Sequence, residues 1–349
     1  MDAHEFFYRL TPDVVLDAAE RAGFTPTGTH MQLNSLENRV FRVDREEGVP
    51  LVLKFYRPGR WSRETILEEH EFLSDCLAAD IPVCAPIALP DGGTLMETDG
   101  IFWAVWERAA GKIPDEFSDR TLGMVGRAVA RIHEMGASKA APHRPVLTAE
   151  TFLREPLQYI LSESLIPGQF APRYRKATLE AAEALDRSLE GVPVHRIHGD
   201  CHWGNLLLDA SGTLRFLDFD DFRIGPAAQD IWMIAPAVDA RGMEQRALLL
   251  AAYREIRPFE DRWLDAVNPL RAARFVHYAA WIAHRRDDPA FRQAFPDFGT
   301  EEYWETETRD LENLVRDGFS PALLPNRPSD KELEDISRLT KKDYFWDLE

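Results

Sequence analysis

The most restrictive feature of this 349-residue chain is a β-rich interruption, Val194 to Phe222, within a second half that otherwise patterns as helix. Helical periodicity runs through Leu122–Met135, Thr148–Ser162, Arg173–Leu189, Met243–Ile256, Pro269–His284 and Glu301–Arg316. Inside the interruption, Leu206-Leu207-Leu208 and Thr213–Leu217 are short strand-forming runs, and Asp209-Ala210-Ser211-Gly212 is turn sequence between them. A hairpin there returns Asp218 to the side of Asn205. An amide oxygen and a carboxylate then face one another, a hard-oxygen pair suited to Mg²⁺. Asp200 comes five residues before Asn205, on the loop entering the hairpin, where it can accept a proton from an attacking hydroxyl.

The first third reads differently. Thr11-Pro12-Asp13 opens a capped helix that should end near Gly23. Val40–Val43 and Leu51–Phe55 are β-like, and Glu64–Leu77 is helical with an imperfect stripe of Ile66, Leu67, Phe72, Leu73 and Leu77. Two more strands are expected, around Leu95 and from Ile101 to Trp106, after the turn Pro90-Asp91-Gly92-Gly93. The helix over Leu122–Met135 should stop at Gly136. The expected fold is therefore α+β, with a small β-rich N-lobe (1–107) and a larger, mainly helical C-lobe (108–327). A charged tail (328–349) follows, in which Ser329 and Glu332 have capping-box spacing.

Net charge narrows the partners. At −18 the chain lacks the basic surface that nucleic-acid backbones require, and only weakly favours a cationic substrate. Its three cysteines form no CxxC pair, which suits reduced thiols in a cytoplasm. Met1–Leu10 has no signal-peptide core, and no apolar run reaches the roughly 20 residues of a membrane span. A cytoplasmic protein without a membrane partner is expected. The sequence does not address oligomeric state, and a monomer is the working expectation.

The step from Asp200 to Asn205 equals that of the protein-kinase loop H-R-D-x-x-x-x-N, where a metal-binding aspartate also follows a short hairpin. His198-Gly199-Asp200-Cys201-His202-Trp203-Gly204-Asn205, with an aspartate-rich strand end behind it, resembles the aminoglycoside phosphotransferase and choline kinase superfamily. More closely, the chain is similar to the bacterial stress response kinase A family of Ser/Thr protein kinases. Leu33–Val40, Lys54-Phe55-Tyr56-Arg57-Pro58 and Gly225–Trp232 carry that likeness as well.

The resemblance implies a two-lobed, protein-kinase-like fold and ATP- and Mg²⁺-dependent phosphotransfer to a hydroxyl. It implies Asp200 as base and Asn205 and Asp218 as Mg²⁺ ligands, with Asp220, or its neighbour Asp221, assisting at a second metal. Lys54 would contact the ATP phosphates beneath a loop containing Ser35. Glu69, or Glu68 beside it, would pair with Lys54. Phe102–Arg108, including Trp106 and Arg108, would hold adenine.

Blander readings stand beside these. Lys54 also fits an edge-strand or snorkelling lysine, and Glu68 and Glu69 also fit solvated helix positions. His198 and His202 have the spacing of a helical metal pair, but Gly199 and Gly204 argue against a helix there. Cys201 reads as a small filler, and Asp230 as a carboxylate that fixes the catalytic-loop backbone. No G-x-G-x-x-G precedes Lys54; Asn34–Asn38 stands in its place, and Gly199 replaces the catalytic-loop arginine. Eleven residues separate Asp218 from Asp230, too few for a long activation segment, which implies activity without phosphorylation there. The acceptor stays open between a protein and a small hydroxylated metabolite, amino alcohol or aminoglycoside. A nucleotide-binding module without turnover and a metal-dependent hydrolase using His198, Asp200 and His202 are the readings from other classes.

Overall fold

The computed structural model describes residues 3–8, 10–114, 118–236 and 240–316, so the expected charged tail lies outside the described residues. The first elements are α1 (Ala3–Tyr8), α2 (Pro12–Arg21), β1 (Pro26–Leu33), β2 (Arg39–Arg45), β3 (Leu51–Phe55), α3 (Arg63–Ala78), β4 (Met96–Thr98) and β5 (Ile101–Glu107). There follow α4 (Asp119–Ser138), α5 (Glu155–Ser162), α6 (Ala171–Ser188), β6 (Val194–Ile197), β7 (Leu206–Leu208), β8 (Leu214–Phe216) and β9 (Arg223–Pro226). The chain continues through α7 (Ala228–Ile234), α8 (Ala240–Arg254), α9 (Val267–Ala283), α10 (Pro289–Ala294) and α11 (Glu301–Arg316). This is the expected α+β architecture. The described residues form two compact units, one from those within 1–116, 141–144 and 203–222, the other from the remaining described residues.

The first unit holds an antiparallel sheet in the order β1-β2-β3-β5-β4. Strand side chains alternate between faces. In β3, Leu51, Leu53 and Phe55 enter a core with Val15, Ala19 and Trp103 on the side of α2. Lys54 points to the other face, where Ile66 of α3 packs with Tyr56 and Ala104. Ala104 is directly opposite Lys54 in the ladder, and a residue that small leaves space for the lysine stem. β1 carried no sequence signal because its burial is half-hearted: Thr27, Gly28 and Thr29 are exposed.

Helix α3 corrects one reading. Ile66, Phe72 and Leu73 of the expected stripe are buried, together with Thr65, Glu69, His70 and Cys76, while Leu67 and Leu77 are exposed. Leu67 falls off the face that Ile66, His70 and Leu73 share, whereas Leu77 keeps that spacing but is exposed in the last turn of the helix.

The hairpin β7–β8 belongs to the first unit. Leu206 pairs with Phe216 and Leu208 with Leu214, and Gly212 N–H closes the turn onto Asp209 O at 2.9 Å. Its outer edges bond to Pro82 and Cys84 on one side and Lys112 on the other. At Gly111 an added Cβ would meet the Leu208 backbone at 3.1 Å, so glycine permits that approach.

The second unit is mainly helical around the β6–β9 pair. α4 does not stop at Gly136 but continues to Ser138. A Cβ at Gly136 would lie 2.0 Å from the Arg196 carbonyl oxygen. The glycine marks close contact between helix and strand rather than a terminus.

Candidate active site

Within the first unit, β3, α3 and the end of the hairpin converge on Lys54. Its Nζ lies 3.1 Å from Asp218 Oδ1, 3.2 Å from Asp220 Oδ1 and 3.7 Å from Glu69 Oε1. Glu69 rather than Glu68 therefore faces the lysine; the Glu68 carboxylate accepts from the His143 backbone N–H. Trp106 reaches the cluster, its ring centroid 5.9 Å from Nζ, with the Tyr56 ring at 5.0 Å. Arg108 lies four residues past Ala104, about 13 Å along an extended strand, with its N–H on Pro50 O.

Burial disfavours the lysine's charge, but Asp220, Glu69 and Asp218 outweigh it and hold Lys54 well above its ordinary range. Burial acts the other way on Glu69, and with Asp220 nearby pushes its carboxyl up to about 7 against the pull of Lys54. Burial alone would also raise Asp220, yet Lys54, Arg60 and Arg144 keep it ionised, below the usual carboxylate range.

The segment after Asp218 is tightly held. Asp218 adopts a left-handed conformation (φ 53°), which aspartate tolerates better than most residues. Phe219 and Phe222 pack on Phe72 of α3, at ring separations of 5.8 and 5.3 Å. Arg60 binds the carboxylates of both Asp220 and Asp221. Arg144 donates to the carbonyl oxygens of Asp220 and Phe222. Asn38 donates from Nδ2 to Asp220 Oδ2, and its N–H donates to Ser35 Oγ, so Ser35 caps the turn that leads to the same cluster. Arg57 fixes that turn by donating to the carbonyl oxygens of Leu36 and Glu37.

The hairpin brings Asn205 to the strand end as expected: Leu217 N–H donates to Asn205 O at 2.8 Å, one residue before Asp218. The Asp218 side chain is 57% exposed, whereas that of Asp220 is 4% exposed and already engaged by Arg60 and Asn38. Mg²⁺ needs only one or two protein oxygens when phosphate and water supply the rest. The accessible carboxylate of Asp218 and the amide of Asn205 fit that requirement.

In the second unit, Asp200 sits between two nitrogen donors. Arg274 Nη1 donates to its Oδ1 at 3.0 Å, and His202 Nε2 is 3.3 Å from Oδ2. Burial would raise the Asp200 carboxyl, but His202 and Arg274 hold it well below the usual range, so it is a carboxylate at neutral pH. The loop is anchored from beneath by the fully buried Asp230. Its Oδ2 accepts from His198 N–H at 2.8 Å and lies 2.9 Å from His133 Nε2, and its Oδ1 accepts from Gly199 N–H at 2.8 Å. His198 and His202 thus take separate roles: Asp200 N–H donates to His198 Nδ1, and His202 meets the Asp200 carboxylate.

Sequence reasoning missed Arg60, Arg144, Asn38 and Arg274. Arg60 had a usable signal, its place three residues after Arg57 in the loop between β3 and α3. Arg144 and Arg274 come from segments remote in sequence, and nothing local points to their partners.

A strand lysine is thus paired to a helix glutamate and a hairpin aspartate. Residues 30–266 match the model of the phosphotransferase enzyme family known as APH. The stress response kinase A of Shigella flexneri and that of Escherichia coli K12 are each 37% identical over 303 residues, covering 86% of this chain and 92% of theirs. The serine/threonine protein kinase RdoA of Salmonella typhimurium LT2 is 35% identical over the same shares. In fold, the chain is similar to a microcompartment-associated aminopropanol kinase, with a TM-score of 0.68 and 20% identity over 89% of this chain and 100% of that one. Amicoumacin kinase in complex with AMP-PNP, Ca²⁺ and Ami gives a TM-score of 0.70 and 19% identity over 97% and 100%. The chain belongs to the phosphotransferase enzyme family, and within it to the stress response kinase A group; it is an ATP-dependent kinase.

Proposed function

We propose that this kinase is a Mg²⁺-dependent Ser/Thr protein kinase of the cytoplasm, serving in stress response as the names of its relatives suggest. The observation that carries the reading is the trio of Lys54, Glu69 and Asp218, with Asn205 bonded beside Asp218 across the hairpin. Lys54 engages the ATP phosphates, and Glu69 holds it in place. Ser35 and the turn it caps lie over the phosphates, and the strand end from Phe102 to Arg108, with Trp106, receives adenine. Asn205 and Asp218 would hold Mg²⁺, which would offset phosphate charge. Asp220, buried and bound to Arg60, then acts as a fixed counter-charge rather than as a donor to a second metal. Asp200 accepts the proton of the attacking hydroxyl, which requires the carboxylate form that Arg274 and His202 beside it favour.

A small-molecule alcohol is the second reading, supported by the neighbours named for aminopropanol and amicoumacin. The test supplies radiolabelled ATP and Mg²⁺ with protein and metabolite acceptors. Label on serine or threonine, lost with EDTA, is expected. Asp200→Asn should keep nucleotide affinity and lower turnover by about 10²–10⁴, the usual contribution of a general base. Full turnover in that variant would remove Asp200 from the mechanism.

A further inference from the structure

The proposed mechanism uses Arg60 only as the partner of Asp220, yet this side chain reaches further. Arg60 lies in the loop between β3 and α3, with its side chain 9% exposed, and each of its three nitrogens is turned to a carboxylate. Nη1 binds Asp220 Oδ2. Nη2 lies 2.8 and 2.9 Å from the two oxygens of Asp221, and Nε lies 3.6 Å from Glu37 Oε1. The guanidinium carbon is 4.9 Å from the Trp61 ring centroid. A planar donor fork resting on an aromatic ring is a geometry that guanidinium supplies and ammonium does not.

The three carboxylates belong to two segments far apart in sequence. Glu37 is in the turn Asn34–Asn38 between β1 and β2, whereas Asp220 and Asp221 follow Asp218 at the end of the hairpin. Asn38 makes a second tie between the same segments. Its Nδ2 donates to the Asp220 oxygen that Arg60 binds, and its Oδ1 accepts from Arg57 N–H at 3.2 Å. Arg57 Nε also lies 3.2 Å from Glu37 Oε1. A carboxylate in a turn placed over ATP phosphates repels them unless cations offset it. Glu37 meets that condition, since its side chain is 11% exposed and faces Arg57 and Arg60.

We propose that Arg60 is a positioning residue that joins the phosphate turn to the metal-binding strand end, so that the groups holding ATP and those holding Mg²⁺ move as one body. This rests on the reading that Asn34–Asn38 covers the phosphates and that Asp218 and Asn205 take the metal. Arg60 need touch neither ligand. Its effect is geometric, and a misplacement of about 1 Å can cost about 10² in rate. With turn and strand end joined, metal held at one strengthens the grip on nucleotide at the other, and the coupling is reciprocal.

The experiment measures the affinity of the full-length kinase for AMP-PNP by calorimetry, once with excess Mg²⁺ and once with EDTA, so turnover plays no part. The wild-type protein should bind more tightly with Mg²⁺. Arg60→Lys keeps a positive charge but loses the fork. It should stay within about twofold of wild type in EDTA and lose about tenfold of the gain from Mg²⁺, an ordinary size for coupling between two ligands. Glu37→Gln removes the ionic link on the turn side and leaves Asp220 and Asp221 with their cation. It should lose part of the same gain, and it decides alone where Arg60→Lys does not fold. An equal loss of affinity with and without Mg²⁺ would make Arg60 a support of the fold only, and overturns the inference. An unchanged gain overturns it as well. Asp218→Asn separates this outcome from the reading beneath it, because it should abolish the gain with Arg60 in place. A full gain in Asp218→Asn would remove Asp218 as a metal ligand, whatever the Arg60 variant shows.

Discussion

Two buried carboxylate centres, one in each compact unit, use charge in opposite ways. Around Lys54, three acids share one lysine, and Arg60 and Arg144 supply further cations, so every charge is held by another charge. Around Asp230, two backbone N–H groups and a histidine surround a single acid. The first arrangement can exchange partners: Asp218 is exposed enough to turn from Lys54 toward a ligand. The second has two of its three donors fixed in the main chain. The contrast teaches where rigidity and chemistry are placed. Asp230 fixes His198 and Gly199, and Asp200, the proposed base, follows directly on that fixed backbone. Asp200 itself keeps a side chain 27% exposed between Arg274 and His202.

The largest expected effect separates these two aspartates. Asp230→Ala leaves two buried N–H donors and His133 without their acceptor, and should lower stability by about 3–5 kcal/mol. Asp200→Ala, at a partly exposed pair, should change it by about 1 kcal/mol or less while abolishing turnover. Urea denaturation of both variants checks the pair. Equal losses would mean that Asp200 is as structural as Asp230.

A smaller effect tests how the anchor is brought into place. His133 lies on α4, and Gly136 one turn later lets that helix touch β6. Gly136→Ala drives a methyl into the Arg196 carbonyl oxygen, and overpacking of this kind costs about 1–3 kcal/mol. At Gly123, on the same helix, an added Cβ meets only the flexible Arg127 side chain at 3.5 Å. Gly123→Ala should instead stabilise by about 0.5–1 kcal/mol, the helical preference of alanine. Thermal melts of the two variants should shift in opposite directions.

The two centres were unequally legible in the sequence. The hairpin, its turn and the return of Asp218 to Asn205 could be read because β-turn chemistry is local and encoded in Asp209–Gly212. Lys54 was readable because one polar residue in an apolar strand must face something particular. Asp230 was readable only through its place before Ile231-Trp232 in a familiar motif. The arginines were not readable: Arg144 reaches Asp220 across 76 positions and Arg274 reaches Asp200 across 74, and such pairings are set by packing. Gly136 misled for a related reason, since glycine at a helix end and glycine at a close contact look alike in one sequence.

The smallest effect is a slope, and it should differ between the units. In the second unit, burial, helped by His133, lowers His195 to about 3, so it stays neutral in the native state. In the unfolded chain a histidine binds its proton near pH 6.5. Between those values the unfolded state holds more protons, and stability falls as pH falls, by about 1.4 kcal/mol per pH unit. In the first unit, His70 is lowered to about 3 by burial, with Lys54 adding to it, and contributes the same slope. There, however, Glu69 is raised to about 7 and opposes it: above the unfolded value of 4.5 the native state keeps a proton that the unfolded chain has released. Acidification through that window therefore stabilises through Glu69 what it destabilises through His70. His195→Asn, which keeps a donor for the Arg196 carbonyl oxygen, should flatten stability against pH between about 5 and 6.5 by about 1.4 kcal/mol per unit. Glu69→Gln should steepen the acid loss by a similar amount. Denaturant titrations at several pH values measure both slopes. If His195→Asn left the slope unchanged, the native His195 would be titrating as it does in the unfolded chain, and its burial would not be governing its charge.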